Sequence, residues 1–343
     1  MSTEKRNENF MLKQSRYSKG KKNVKQYSKN NASKKSGSGK NSYNAYYKKN
    51  DDGFQPKSNG KSNYGKKKYP SKSKGYPKKN AQKPSIKIAF LGGLNEIGKN
   101  ITLVECENDI IIIDCGMEFP DGDMLGVDLV IPDFTYIEQN ADRVKGIILT
   151  HGHEDHIGGL PFLLSKVNVP IYGTPLTLGL VGNKLKEHSL YNQSQLNVIN
   201  AGQSIKLGCM KIDFIHVNHS IPDAVAFAIH TPGGTIVHTG DFKIDCTPIT
   251  GDMIDLSSFA RVGDEGVLAL LSESTNAERP GYTPTERTVS DSLDNLFKSA
   301  ENYRIIIATF ASNVNRVQQI IDCAEKYGRK VAFSGRSMVN YMD

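Results

Sequence analysis

Apolar residues in this chain come in short blocks, and the blocks begin only near Ser85. Ile86–Leu91, Ile101–Cys106 and Asp109–Asp114 read as successive short strands, and Val144–Thr150 as another that runs into a His-rich loop. Leu160–Ser165 opens an apolar helix-like stretch, Pro170–Gly173 is a short strand and Thr177–His188 is compatible with a helix. Strand patterns return at Met210–Val217, Ala224–His230, Gly234–His238 and Val267–Leu271. Blocks of four to eight apolar residues bounded by turn formers suit strands buried in a sandwich, with the longer helical stretches outside it.

The texture changes after about residue 283. Thr283–Ala300 is helical, with a capping-box-like Thr283-Pro284-Thr285-Glu286 start. Arg304–Thr309 reads as a strand, Asn313–Tyr327 as a helix and Lys330–Ser334 as a strand. That alternation predicts the opening of a second, α/β domain. The chain stops at Asp343 inside a helix-like run, so that domain reads as unfinished.

Charge divides the chain in two. Residues 1–84 carry 24 Lys+Arg against 4 Asp+Glu, which leaves 20 against 32 of the whole chain's 44 and 36. The net charge of +8 therefore combines a strongly basic tail with an acidic remainder. The tail is mostly Lys, Asn, Ser, Gly and Tyr without apolar periodicity, so it is expected to stay disordered. Its eight tyrosines, interleaved with lysine, suit stacking on the bases of single-stranded nucleic acid. No segment approaches the ~18 apolar residues of a membrane span, and no apolar stretch follows the N-terminal charges as a secretory signal requires. Cys106, Cys115, Cys209, Cys246 and Cys323 are scattered without a CxxC pair. They read as buried reduced thiols of a cytoplasmic protein.

Within that frame one hexapeptide carries chemistry. His151-Gly152-His153-Glu154-Asp155-His156 follows an apolar strand directly. A strand end is rigid, and a tight loop beyond it can aim several imidazoles and a carboxylate at one point, a donor set suited to zinc in an open site. His219 and Asp241 end later strands in the same manner, and Gly240 gives the backbone room to turn. Asp114 ends the Ile110–Ile113 run, where it can orient a ligating histidine from behind. His216 and His238 lie among apolar neighbours and are assigned to packing or to support of the ligands. The run from Gly93 to Lys99 fits G-x-x-x-x-G-K, the start of a phosphate-binding loop. Asn100 stands where Ser or Thr is needed, and a strand follows instead of a helix, so nucleotide binding is rejected there.

This constellation resembles the metallo-β-lactamase superfamily over about residues 86–275. The resemblance implies an αββα sandwich with one metal on His151, His153 and His219, and a second on Asp155 and His156 with Asp241 bridging. Gly92-Gly93-Leu94-Asn95-Glu96-Ile97-Gly98, Asp114-Cys115-Gly116-Met117, Gly240-Asp241-Phe242-Lys243 and Ser274-Thr275-Asn276-Ala277-Glu278 look more narrowly like the RNase J family of β-CASP nucleases. Phe310-Ala311-Ser312-Asn313 and Ser334-Gly335-Arg336-Ser337-Met338 extend that likeness. It implies residues 1–84 as tail, 85–284 as the N-terminal part of the lactamase domain and 285–343 as the start of an inserted α/β β-CASP domain. It also implies two zincs per complete subunit, with Asp155, His156 and Asp241 at the chemistry and Glu273, Ser312 and Asn313 touching substrate. Glu273 stands where this family usually has Asp, and Asn315 where it has His.

The implied activity is cytoplasmic RNA hydrolysis, 5′→3′ exonucleolytic and endonucleolytic, in rRNA maturation and mRNA decay. Two zincs roughly 3.5–4 Å apart would generate a nucleophile at neutral pH and leave a 5′-phosphate and a 3′-hydroxyl. The implied partners are RNA, further copies of the full-length chain, and an RNA-degradation complex or the ribosome, with no membrane. A late-motif histidine that the family adds to the second metal has no counterpart, because no His follows His238. The chain taken literally is thus expected to hold one zinc tightly and cleave poorly. Two rival readings stay open: a thioester or lactam hydrolase on the same site, against which the α/β segment argues, and a non-catalytic RNA-binding protein, against which the ligand set argues.

Overall fold

Continuous runs such as Ile110-Ile111-Ile112-Ile113 are explained by burial on both faces of a sheet. The computed structural model describes residues 83–342; the basic tail, apart from its last two residues, lies outside them. The first sheet has six strands in sequence order: β1 (Ile86–Gly92), β2 (Ile101–Cys106), β3 (Asp109–Ile113), β4 (Val144–Ile148), β5 (Ile171–Gly173) and β6 (Leu196–Val198). β1 to β3 pair antiparallel, and β3 to β6 pair parallel. The second sheet comprises β7 (Ser204–Leu207), β8 (Met210–His216), β9 (Val225–Thr231), β10 (Gly234–His238) and β11 (Ala269–Leu271), in the order β11-β10-β9-β8-β7. Its strands pair antiparallel except β10 with β11.

Alternation sorts side chains into layers. Val104, Cys106, Ile111, Ile113 and Ile148 meet Met210, Ile212, Phe214, Phe227 and Ile229 between the sheets. Ile101, Leu103, Ile110, Ile112 and Ile147 point the other way. They pack on α1 (Thr135–Gln139), α2 (Glu154–Ile157), α3 (Leu160–Leu164) and α4 (Pro175–Glu187) through Ile137, Ile157, Leu163 and Val181. The outer face of the second sheet, Ile215, Ala226, Ala228 and Val237, is covered by Val262 and Phe259 of α5 (Leu256–Glu265). The expected αββα sandwich is therefore present. β6, β7, α1 and α5 had no separate signal in the sequence pattern; α5 starts at a cap, with the Asp255 carboxylate accepting the Ser258 N–H.

Beyond β11 come α6 (Arg287–Ser299), α7 (Val314–Lys326) and α8 (Arg336–Met342). α6 and α7 pack through Leu293, Phe297 and Ala324. The strands expected at Arg304–Thr309 and Lys330–Ser334 do not form, and Ile306 is almost fully exposed. Local β propensity favours an extended chain, but a strand also needs a hydrogen-bonding neighbour, and among the described residues these segments have none. The capping box at Thr283 is likewise corrected: α6 begins at Arg287 without a side-chain cap, and the Glu286 carboxylate is committed to ion pairs instead. Among the described residues no helix is long and apolar enough to cross a membrane. Cys106 and Cys115 are buried as expected, whereas Cys246 is exposed.

Candidate metal centre

The chemistry-bearing residues all follow strand ends at the seam of the two sheets. β3 hands over to Asp114, β4 to Thr150 and His151, β8 to His219 and β10 to Asp241. The seam is tied by the Val225 N–H, which donates to the Thr150 carbonyl at 2.9 Å. His151 and His153 lie on an extended stretch, and the short α2 carries Asp155 and His156 in its first turn. The carbonyls of that turn are held by the segment after β3 and by the residue before β2: Met117 donates to Glu154 at 3.2 Å and Cys115 to His156 at 2.8 Å, while Asn100 donates to Asp155 at 3.0 Å. A Cβ at Gly116 would lie 1.6 Å from the Asp155 carbonyl oxygen, so only glycine permits this approach.

Asp114 organises the interior. It sits at φ 59°, a left-handed conformation that Asp and Asn tolerate better than most residues. Its carboxylate accepts the Thr150 N–H at 2.8 Å and the Thr150 hydroxyl at 2.8 Å, and faces His156 Nδ1 at 2.8 Å. His156 Nε2 is thereby turned outwards, 3.4 Å from Asp155 Oδ2 and 3.6 Å from Asp241 Oδ1. His151 Nδ1 faces the Thr150 hydroxyl at 3.0 Å, and its Nε2 lies 3.0 Å from His153 Nδ1, which in turn lies 3.2 Å from His219 Nε2. Two donor groups result, His151 with His153 and His219, and His151 with His156 and Asp241; within each, the donor atoms lie within 4.8 Å of one another. Asp155 stands beside the second group.

Burial pushes the pKa of His151 well down and lowers that of His153; His219 is pushed down to about 4 by the same cause. These imidazoles are therefore neutral at pH 7, with lone pairs free to bind a cation. Burial also opposes a charge on His156, but Asp114, Asp155 and Asp241 outweigh it and hold its pKa well above the usual histidine value. The Asp155 and Asp241 carboxyls are raised by burial but lowered further by His156, so both fall below the ordinary aspartate value. Neutral imidazole nitrogens facing one another at 3.0 and 3.2 Å, next to two ionised carboxylates, form a donor set that a divalent cation fits.

The other expected site residues fall in different places. Glu273 lines, with Asp155, His156 and Asp241, a cavity of about 650 Å³. The backbone of Ser312 reaches His153. The Asn313 side chain caps α7 by accepting the Arg316 N–H at 3.0 Å. His216 bonds the Asp252 carbonyl, and His238 accepts the N–H of Gly240, the residue before Asp241. In the loop resembling a phosphate binder, the Gly93 N–H is taken by Glu96, and Lys99 pairs with Glu96 and Glu118 at 3.0 and 3.2 Å. The sequence pattern missed Asn100, whose Nδ2 lies 3.3 Å from Asp155 Oδ2 and 3.2 Å from His156 Nε2. Nothing in its spacing marked it, because the contact spans more than fifty residues.

Comparison with known proteins agrees with this fold. Residues 94–283 match the metallo-beta-lactamase superfamily, and residues 302–343 match the beta-CASP domain of Ribonuclease J. The chain is 48% identical to Ribonuclease J of Helicobacter pylori over 262 residues, 76% of this chain and 38% of that protein. It is 47% identical to Ribonuclease J2 of Bacillus subtilis over 261 residues, 76% of this chain and 46% of that protein. The chain thus spans less than half the length of these relatives. A crystal structure of a protein of unknown function from Enterococcus faecalis aligns with a TM-score of 0.55 at 18% identity, covering 74% of this chain and 71% of that one, a likeness of fold.

Proposed function

Because this chain belongs to the metallo-beta-lactamase superfamily and carries the start of an RNase J β-CASP domain, we propose that it is a zinc-dependent ribonuclease. The observation that carries the reading is the convergence of His151, His153, His156, His219 and Asp241 on one point at the seam of the sheets. His151, His153 and His219 would hold one zinc; Asp155, His156 and Asp241 would hold the second, with Asp241 shared. Zinc bound there would supply a nucleophile at neutral pH and neutralise charge on a phosphodiester.

The chain's own residues prepare that chemistry. Asp114 accepts the proton on His156 Nδ1 and so reserves Nε2 as a donor, the usual use of a carboxylate behind a ligating histidine. Asn100 Nδ2 donates to the Asp155 carbonyl at 3.1 Å and to its carboxylate, fixing that side chain. Glu273 faces the cavity beside Asp155, where it would orient the sugar–phosphate chain. Ser312 and Asn313, just before α7, would contact the substrate as the resemblance implies, Asn313 through its backbone since its side chain caps that helix. Identities of 47–48% to proteins named Ribonuclease J support RNA as the substrate over a thioester or a lactam. On this reading, and following what the motif resemblance implies, the full-length protein would act 5′→3′ exonucleolytically and endonucleolytically, in the cytoplasm and as an assembly of several copies.

The test pairs metal analysis of the full-length protein with its hydrolysis of 5′-monophosphorylated RNA, a thioester and a lactam. Zinc in the protein and chelator-sensitive cleavage of RNA alone are expected. Zinc without RNA cleavage, or cleavage that survives complete chelation, would overturn the reading.

A further inference from the structure

A neutral cluster of four charged side chains lies behind the metal centre. Glu286, just before α6, accepts Lys243 Nζ at 3.0 Å and Arg316 Nη2 at 2.9 Å. The Glu286 N–H donates to buried Asp245 at 3.2 Å, and Lys243 lies 3.7 Å from the same carboxylate. Lys243 and Glu286 are largely shielded, at 14% and 17% side-chain exposure, so solvent screens this pair less than a surface one.

The position of the cluster matters more than its strength. Lys243 is two residues beyond Asp241, and its N–H donates at 2.7 Å to the carbonyl of Asn218, the neighbour of His219. Asn218 is anchored in turn: its side chain donates to the Asp252 carbonyl at 2.8 Å and accepts the Ile254 N–H at 2.9 Å. From the other side, Asn315 Nδ2 approaches the His219 carbonyl at 3.5 Å, and its Oδ1 accepts the Thr250 hydroxyl. Arg316 follows Asn315 directly, and the Ser312 backbone reaches His153. Thus the first turn of α7 meets the segments of two histidine donors, and Glu286 joins that turn to the segment carrying Asp241.

We propose that Glu286 is a positioning residue for the metal centre: by joining Lys243 to Arg316 it keeps the His219 and Asp241 segments in register with the start of α7. A surface ion pair far from any donor would matter only for stability. Here a shift of Lys243 pulls on Asn218 through a backbone hydrogen bond, and so moves two donors from different strands together. The kinetic arm of the test rests on the ribonuclease reading; the other two arms do not.

The test uses the full-length protein with Glu286→Gln, which keeps the side-chain shape, and Arg316→Gln at the more exposed end of the cluster. Hydrogen exchange in peptides covering 217–220, 240–245 and 312–320 is expected to speed up about tenfold or more, with β2 and β3 unchanged. The visible spectrum of the cobalt-loaded protein should change. In RNA hydrolysis kcat should fall roughly tenfold while KM holds, the scale for groups that orient ligands. Unchanged exchange and an unchanged cobalt spectrum in both variants would overturn the proposal, even with a lower melting temperature. If the unmodified full-length protein does not cleave RNA, the ribonuclease reading fails, and exchange and spectrum still decide the role of Glu286.

Discussion

Replacing Asp114 by Asn removes one charge and one acceptor while leaving the shape and the left-handed backbone tolerable, so the perturbation is confined to hydrogen bonding. The Thr150 N–H is a fixed donor and claims the single remaining oxygen. The new amide NH2 must then face the Thr150 hydroxyl and His156 Nδ1. To accept from it, His156 gives up the proton on Nδ1 and carries one on Nε2, the atom that faces Asp155 and Asp241. Its lone pair is then no longer available to a metal, and affinity at that position should drop about 10–100-fold. Both side chains of the lost pair are at most 3% exposed, so no screening softens the loss. Removing one partner of a buried pair costs about 3–5 kcal/mol, or about 6–12 °C in melting temperature at the low end for a domain of this size. Chelator-competition titration and calorimetry of the metal-free and zinc-loaded variant provide the assays. An Asn variant with unaltered zinc affinity and melting temperature would refute the assigned role of Asp114.

His153→Ala should lose at least one metal and nearly all RNA cleavage in the full-length protein; unchanged metal content with retained cleavage would remove the central claim. Asn100→Ala should weaken metal binding at the Asp155 side about tenfold, read by the same competition titration, with the fold intact by circular dichroism. Stability of the metal-free protein should decline as pH falls from about 6.5 to about 4: the lowered pKa values of His151, His153, His219 and His238 make the unfolded state take up more protons there. His156, with a raised pKa, contributes in the opposite sense and only above about pH 6.5, where its stabilisation is lost as pH rises through the folded value. Urea midpoints at pH 7.5, 5.5 and 4.5 check this; a flat profile would contradict it. Deleting residues 1–84 should weaken RNA binding and flatten a log–log salt slope of about −4, the value for about six phosphate contacts on a single strand, without changing the chemistry. An unaltered slope would leave the tail without a role in RNA binding.

The sandwich was legible because its strands are buried on both faces and so read as apolar blocks, as in Ile101–Cys106 and Ile110–Ile113. The donors were legible because they cluster after strand ends, where spacing alone brings His151, His153 and His156 together. Asn100 and Glu286 were not legible, since their importance arises from contacts across 55 and 43 residues to Asp155 and Lys243. Glu286 also fitted a local motif, the capping box, that its tertiary partners override. The strands expected at Arg304–Thr309 and Lys330–Ser334 failed for the converse reason: side-chain preference was right for an extended chain, but pairing is a property of neighbours.

The donors come from both sheets, and beside His151 the seam between them is bridged by the Val225–Thr150 hydrogen bond. An ion seated there would act as a latch on the sandwich, since prising the sheets apart would have to release it. At a free concentration a thousandfold above Kd, such a ligand contributes about 4 kcal/mol to folding, close to the whole margin of a marginally stable protein at about 5 kcal/mol. A cell starved of metal would then lose the protein as well as its activity, because the emptied chain opens more often to proteases. Limited proteolysis with and without chelator measures the difference directly.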